Sequence, residues 1–192
     1  MQPLIDNARR FGQRPEEFAR LAEGQSPQVL FITCSDSRVV PALITGARPG
    51  ELFELRTAGN FVPDPAGGPC GESATIEYAV EVLGVQDVVV CGHSHCGAVG
   101  ALVRGDDLTA VPAVRDWLAH AAGHPVGGDP ADPAVADAVR LHVLTQLERL
   151  RSYPCVQRRL ADGRVRLHGW YYEVHTGRVC AHRPGTDAFE TL

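Results

Sequence analysis

The 192 residues, 44% hydrophobic and 21% charged, suffice for one sizeable core and fall short of two, since domains commonly hold about 100–200 residues, so residues 1–192 are read as one domain. No apolar stretch approaches the roughly 20 residues that cross a bilayer, and a formal net charge of −5 argues against nucleic acid or an anionic membrane as main partner. The opening MQPLIDNARRFGQRPEEF carries charges and a proline where a signal peptide needs a continuous apolar segment, so the cytoplasm is the expected compartment, and the six cysteines are expected as thiols or metal ligands.

Along the chain, RPEEFARL (14–21) has helical spacing, GQSP breaks it, and QVLFIT is fit for a buried strand. A helix or turn follows through VVPALITGARPG. ELFELRT then alternates like a strand, and AGNFVPDPAGGPCG is a Gly/Pro-rich loop long enough to suggest a functional one. GESATIEYAVEVLG predicts a helix, QDVVVCGH a second buried strand, and CGAVGALVRG a helix directly after it. Two more helices are expected, around AVRDWLAHAA and from Pro133 to Arg151, separated by the flexible GHPVGGDPAD. RVRLHGWYYEVHTGRVCAHR reads as a hairpin turning at Thr176 and Gly177. Alternating strands and helices predict an α/β fold: a central, mainly parallel sheet flanked by helices, extended by the C-terminal hairpin.

In such sheets ligands bind beyond the carboxyl ends of the strands, where both CSDSR and CGHSHCG fall. His93 and Cys96, three apart on a strand-to-helix turn, form a local metal-ligand pair, and Cys34 from another strand end offers a third donor; zinc favours such Cys/His sets, and catalytic sites keep one position open. Taken singly, each motif is as easily a buried cysteine or a polar turn; their joint placement at strand ends favours the metal. Asp36 and Arg38, two apart, share a side if the backbone stays extended. The guanidinium then keeps the carboxylate ionised, a pure acceptor beside the metal. A thiol phosphatase is rejected: only Ser35, Asp36 and Ser37 separate Cys34 from Arg38, too few N–H groups to cradle a phosphate, and Asp36 would repel it.

The combination of CxDxR (Cys34, Asp36, Arg38) with a later GHxxCG (His93, Cys96) resembles the β-class carbonic anhydrases. The likeness runs through GQSPQVLFITCSDSRVVPALITGARPGELFELRTAGNFVP and GESATIEYAVEVLGVQDVVVCGHSHCGAV to VRLHGWYYEVHTG, most of the chain. It implies one Zn²⁺ per chain on Cys34, His93 and Cys96, an Asp36–Arg38 dyad, and interconversion of CO₂ and bicarbonate. It also implies a substrate pocket lined by Gln25, Phe53 and Tyr78, partly supplied by a neighbouring subunit, hence a homodimer or homotetramer. On pattern alone Phe53 and Tyr78 would be core residues. Departures are Thr57 and His142, where relatives carry or often carry Asn, both read as clear of the ligands, and Phe31, where members with a non-catalytic bicarbonate site have Trp.

The implied mechanism is attack of zinc-bound hydroxide on CO₂. Two thiolates leave the metal formally neutral, so its bound water is expected to be less acidic than the value of about 7 known for a histidine site, with activity rising into mild alkali. His95 is a candidate shuttle to which no role is assigned. Hydrolysis of carbon disulfide or carbonyl sulfide on the same site, and a non-catalytic zinc or bicarbonate-binding module, are the rival functions. Cys70, in the Gly-rich loop, is a candidate reactive thiol to which no role is assigned, Cys91 reads as a packed thiol, and Cys155 and Cys180 are left over. His120, His124, His168, His175 and His182 read as solvated, and Trp117 and Trp170 as anchors.

Overall fold

The computed structural model describes residues 1–12, 18–119, 128–129 and 131–192. Six strands form one sheet: β1 (Val29–Cys34), β2 (Leu52–Thr57), β3 (Asp87–His93), β4 (Arg166–Tyr172), β5 (Val179–Arg183) and β6 (Ala188–Thr191). The spatial order is β2-β1-β3-β4-β5-β6. β1 to β4 run parallel and β5 and β6 antiparallel, so the α/β expectation and the C-terminal hairpin both hold. After β1 the chain adds β2 on one side and β3 on the other. The crevice between the carboxyl ends of β1 and β3 is therefore the switch point at which such sheets bind ligands.

The strands β1 and β3 form where the sequence is β-branched and apolar (VLFITC, DVVVCGH), and their residues are buried after the first of each. Leu30, Ile32, Val88 and Val90 are fully buried, each contributing about 1.5–3 kcal/mol over an exposed side chain. The helices are α1 (Gln2–Phe11), α2 (Pro41–Thr45), α3 (Gly71–Glu77, continuing as a π-helical turn over Tyr78–Leu83), α4 (Gly97–Arg104), α5 (Pro112–Ala119), α6 (Ala136–Arg151) and α7 (Pro154–Ala161). α6 lies directly on the sheet. A Cβ on Gly92 of β3 would meet Val139 at 2.5 Å and Val143 at 2.8 Å, so only glycine lets the helix approach this closely. That closeness puts the inner face of α6 behind the switch point.

Several expectations change. The helix expected from Pro133 starts at Ala136, because Val135 sits at φ 44° and breaks the run. α1, α7 and β6 escaped the sequence reading: α1 buries no residue, and α7 follows α6 after only Ser152 and Tyr153. Part of the RPEEFARL helix, part of AVRDWLAHAA and most of GHPVGGDPAD, with His120 and His124, lie outside the described residues; of the first, Ala19–Glu23 is a 3₁₀ turn. His168 and His182 are not simply solvated: they bond Asp87 at 2.7 Å and Asp187 at 3.0 Å.

Candidate metal centre

Cys34 is the last residue of β1, and the ladder continues one step beyond it through Ser35 N–H to the Thr57 carbonyl, 2.9 Å. His93 ends β3 and Cys96 stands at the N-cap of α4. Between them His95 adopts φ 58°, a left-handed turn that swings the chain from strand to helix. The donor atoms of Cys34, His93 and Cys96 all lie within 4.8 Å of one another, and the residues are 7%, 0% and 2% exposed.

The electrostatics of these donors suit a cation. Cys34 is held far below the ordinary thiol value, first by the Cys96 thiol donating to it, against burial, with help from the Gly59 N–H. Cys96 moves up, because it gives that hydrogen bond and because it is buried. Two close sulfurs, one of them favoured as thiolate, form a donor pair of the kind a metal takes. His93 Nδ1 lies 2.9 Å from the Ser94 carbonyl, which can only accept, so Nδ1 carries the hydrogen and Nε2 presents its lone pair. Nε2 is buried with no hydrogen-bond partner, a costly arrangement unless a Lewis acid completes it. A tetrahedral zinc with bonds of about 2.0–2.3 Å fits donors at this separation.

Asp36 and Arg38 pair as expected but on a different backbone. The chain turns rather than staying extended: Val39 N–H donates to the Asp36 carbonyl at 3.0 Å and Arg38 N–H to Asp36 Oδ1 at 2.9 Å, a local turn typical of aspartate. Arg38 then closes a fork on the carboxylate, Nε to Oδ1 at 3.0 Å and Nη2 to Oδ2 at 2.7 Å. This holds Asp36 well below the usual carboxylate range, against its partial burial. Asp36 Oδ2 is 3.9 Å from His93 Nε2, so an ionised acceptor borders the donor cluster. Arg38 also donates to the His95 carbonyl at 3.0 Å, tying the first ligand loop to the second.

Arg56 and Gly59 also belong to the site, and the sequence reading gave neither a role. Arg56 of β2 donates to the carbonyls of Cys34, Asp36 and Val39 at 3.0, 2.8 and 2.8 Å, fastening the whole CSDSR turn. Its only hint is its place beside Thr57, the register partner of Cys34. Gly59 N–H donates to Cys34 Sγ at 3.3 Å. His142, read as clear of the ligands, bonds the Gly59 carbonyl at 2.8 Å and is one residue removed from the thiolate. Thr57 likewise adjoins Cys34 in the ladder.

Gln25, Phe53 and Tyr78 do not gather at this crevice. Phe53 is in register with Leu30, four residues before Cys34, about 13 Å along the strand. Its ring lies 6.0 Å from that of Tyr78, which is 44% exposed. Gln25 is exposed in the coil preceding β1. Elsewhere Cys91 is a packed thiol pushed up to about 12 by burial, and Cys70 caps α3, accepting the Ser73 N–H at 3.4 Å.

A family model described as carbonic anhydrase matches residues 29–179. A carbonic anhydrase of Pseudomonas aeruginosa is 49% identical over 100% of this chain and 92% of its own, and one of Synechococcus elongatus is 44% identical over 93% and 70%. The structure of the β-carbonic anhydrase CcaA superposes with a TM-score of 0.89 at 38% identity, covering 100% of this chain and 99% of that one. A structure from work on two tetrameric β-carbonic anhydrases of Sordaria macrospora gives 0.78 at 30% identity, covering 94% of each chain.

Proposed function

Because the chain belongs to the β-class carbonic anhydrases, we propose that it hydrates carbon dioxide reversibly to bicarbonate and a proton, with one Zn²⁺ per chain on Cys34, His93 and Cys96. The observation that carries this reading is the convergence of three buried donors within 4.8 Å beside a carboxylate forked by Arg38. When bound, zinc supplies the Lewis acidity that makes water a nucleophile near neutral pH.

The chain's own groups do the rest. Asp36, ionised and with Arg38 fixing both oxygens, can only accept; it takes the hydrogen bond of the attacking oxygen and leaves a lone pair aimed at the substrate carbon. Carbon dioxide is small and uncharged, so an apolar wall holds it without dehydrating an ion. Gln25, Phe53 and Tyr78 are assigned that wall and its amide donor, offered to the crevice of a second copy, since within one chain Phe53 lies at the other end of the strand. A homodimer or homotetramer follows. Six free cysteines support the cytoplasm as its compartment, and among the described residues no helix is long and apolar enough to cross a membrane.

Stopped-flow CO₂ hydration run beside a zinc determination tests the reading. Zinc near one per chain with rapid hydration, and both lost in Cys34→Ala, is the expected result. Turnover surviving in a chelator-stripped sample, or carbon disulfide consumed in preference to CO₂, overturns it.

A further inference from the structure

The turn Ala58–Asn60 is held in an unusual shape by side chains distant in sequence. Gly59 and Asn60 both have positive φ, 76° and 51°. A Cβ on Gly59 would come within 2.9 Å of Ala98 Cβ and of the Phe61 ring, so the position demands glycine for space as well as for conformation. From α5, Trp117 Nε1 donates to the Ala58 carbonyl at 2.9 Å. That carbonyl and the Gly59 N–H belong to one peptide unit, whose other end donates to Cys34 Sγ at 3.3 Å. Indole, peptide and sulfur form a single hydrogen-bonded chain, in which each bond polarises the next by about 10–30%.

From α6, His142 grips the following peptide. The Gly59 carbonyl can only accept, so His142 Nε2, at 2.8 Å, carries the hydrogen. Nδ1 then accepts from Gln146 Nε2 at 3.4 Å, and Gln146 Oε1 accepts the Val62 N–H at 2.9 Å. Burial pushes His142 down to about 4 against that bond, which keeps the imidazole neutral and this tautomer in place. The Phe61 ring fixes both partners edge to face, 6.2 Å from Trp117 and 4.5 Å from His142.

We infer that Trp117 and His142 are positioning residues which, by gripping the carbonyls on either side of Gly59, aim its N–H at Cys34 and so moderate the electron density this sulfur gives the metal. The inference rests on the zinc reading above. A thiolate that accepts an N–H bond is easier to keep deprotonated and donates less charge, so the bond favours metal uptake at neutral pH and leaves the metal a stronger Lewis acid.

The test uses the full chain loaded with ¹¹³Cd and labelled with ¹⁵N. A through-bond coupling between ¹¹³Cd and the Gly59 amide proton is expected in the parent protein, weakened in Trp117→Phe and in His142→Leu and kept in His142→Gln, whose amide reaches as Nε2 does. In the zinc forms, chelator competition is expected to show affinity lower by about tenfold in Trp117→Phe, with the pH–rate profile displaced toward alkali. One cadmium per chain without coupling to Gly59 in the parent overturns the inference by itself, whatever the variants do. So does a folded Trp117→Phe with unchanged competition curve and superimposable pH profile. A chain that takes up no cadmium or zinc overturns the metal reading, and this inference with it.

Discussion

At the carboxyl ends of β1 and β3 the protein has closed its surface: Cys34, His93 and Cys96 are at most 7% exposed, and Arg38, Arg56 and Gly59 each bond a ligand residue or its loop. Beside the amino end of β2 it has not: Tyr78, whose ring lies 6.0 Å from that of Phe53, is 44% exposed, and Val82 of the same π-helical turn is 66% exposed. Burying apolar surface gains about 25 cal/mol per Å², so an apolar partner would gain by covering the second region, whereas the donors of the first come from one chain. On the function proposed above, one chain builds the chemistry and a second copy is to complete the pocket.

The largest effect should come from the closed end. Cys34→Ser is expected to abolish stoichiometric zinc and CO₂ hydration together, measured by metal analysis and stopped flow, while the apolar face and the assembly stay as they are. Next, Arg38→Ala unforks Asp36 and should lower turnover by about 10²–10⁴-fold with zinc retained; loss of zinc would move the pair from chemistry to structure. At the open end, Val82→Asp should change subunit stability by no more than about 0.5 kcal/mol yet halve the mass seen by ultracentrifugation and reduce activity with zinc still bound. An unchanged assembly would mean the two ends do not divide the labour this way.

The smallest effect concerns Asp87, at the amino end of β3. Arg166, and to a lesser degree His168, draw its carboxyl below the ordinary value against partial burial. Its folded value lies under its unfolded value, so its contribution to stability is full above the unfolded carboxylate value of about 3.9 and is lost as pH falls from there through the lowered folded value. Arg166 is 66% exposed, which limits the pair to about 0–1 kcal/mol. The stability gap between the parent and Asp87→Asn, from urea unfolding, should therefore be small at pH 7 and shrink as pH falls below about 3.9.

Much of this was legible before any coordinates. β1 and β3 announce themselves because buried parallel strands need continuous apolar runs, and each is followed at once by residues that have no business in a core unless they work there. His93 and Cys96 are three apart, near enough for local spacing to mark them as a pair. α1 was missed because, although Phe11 meets Phe18 at 4.7 Å, none of its residues is buried. The Trp117 and His142 contacts were invisible for another reason: they join the 58–60 turn across 59 and 83 residues, and no local pattern encodes which backbone carbonyl a distant side chain will find.

The sequence alone determined β1 to β5, their order along the chain and the kinds of atom set at the strand ends, since periodicity and residue chemistry are local properties. The tertiary structure alone decided that Asp36 sits on a turn rather than a strand, that the Gly59 N–H reaches Cys34, and that Phe53 lies a strand's length from its own chain's sulfurs. Those are matters of distance between segments, and such distances are fixed only when the whole sheet and its helices pack together.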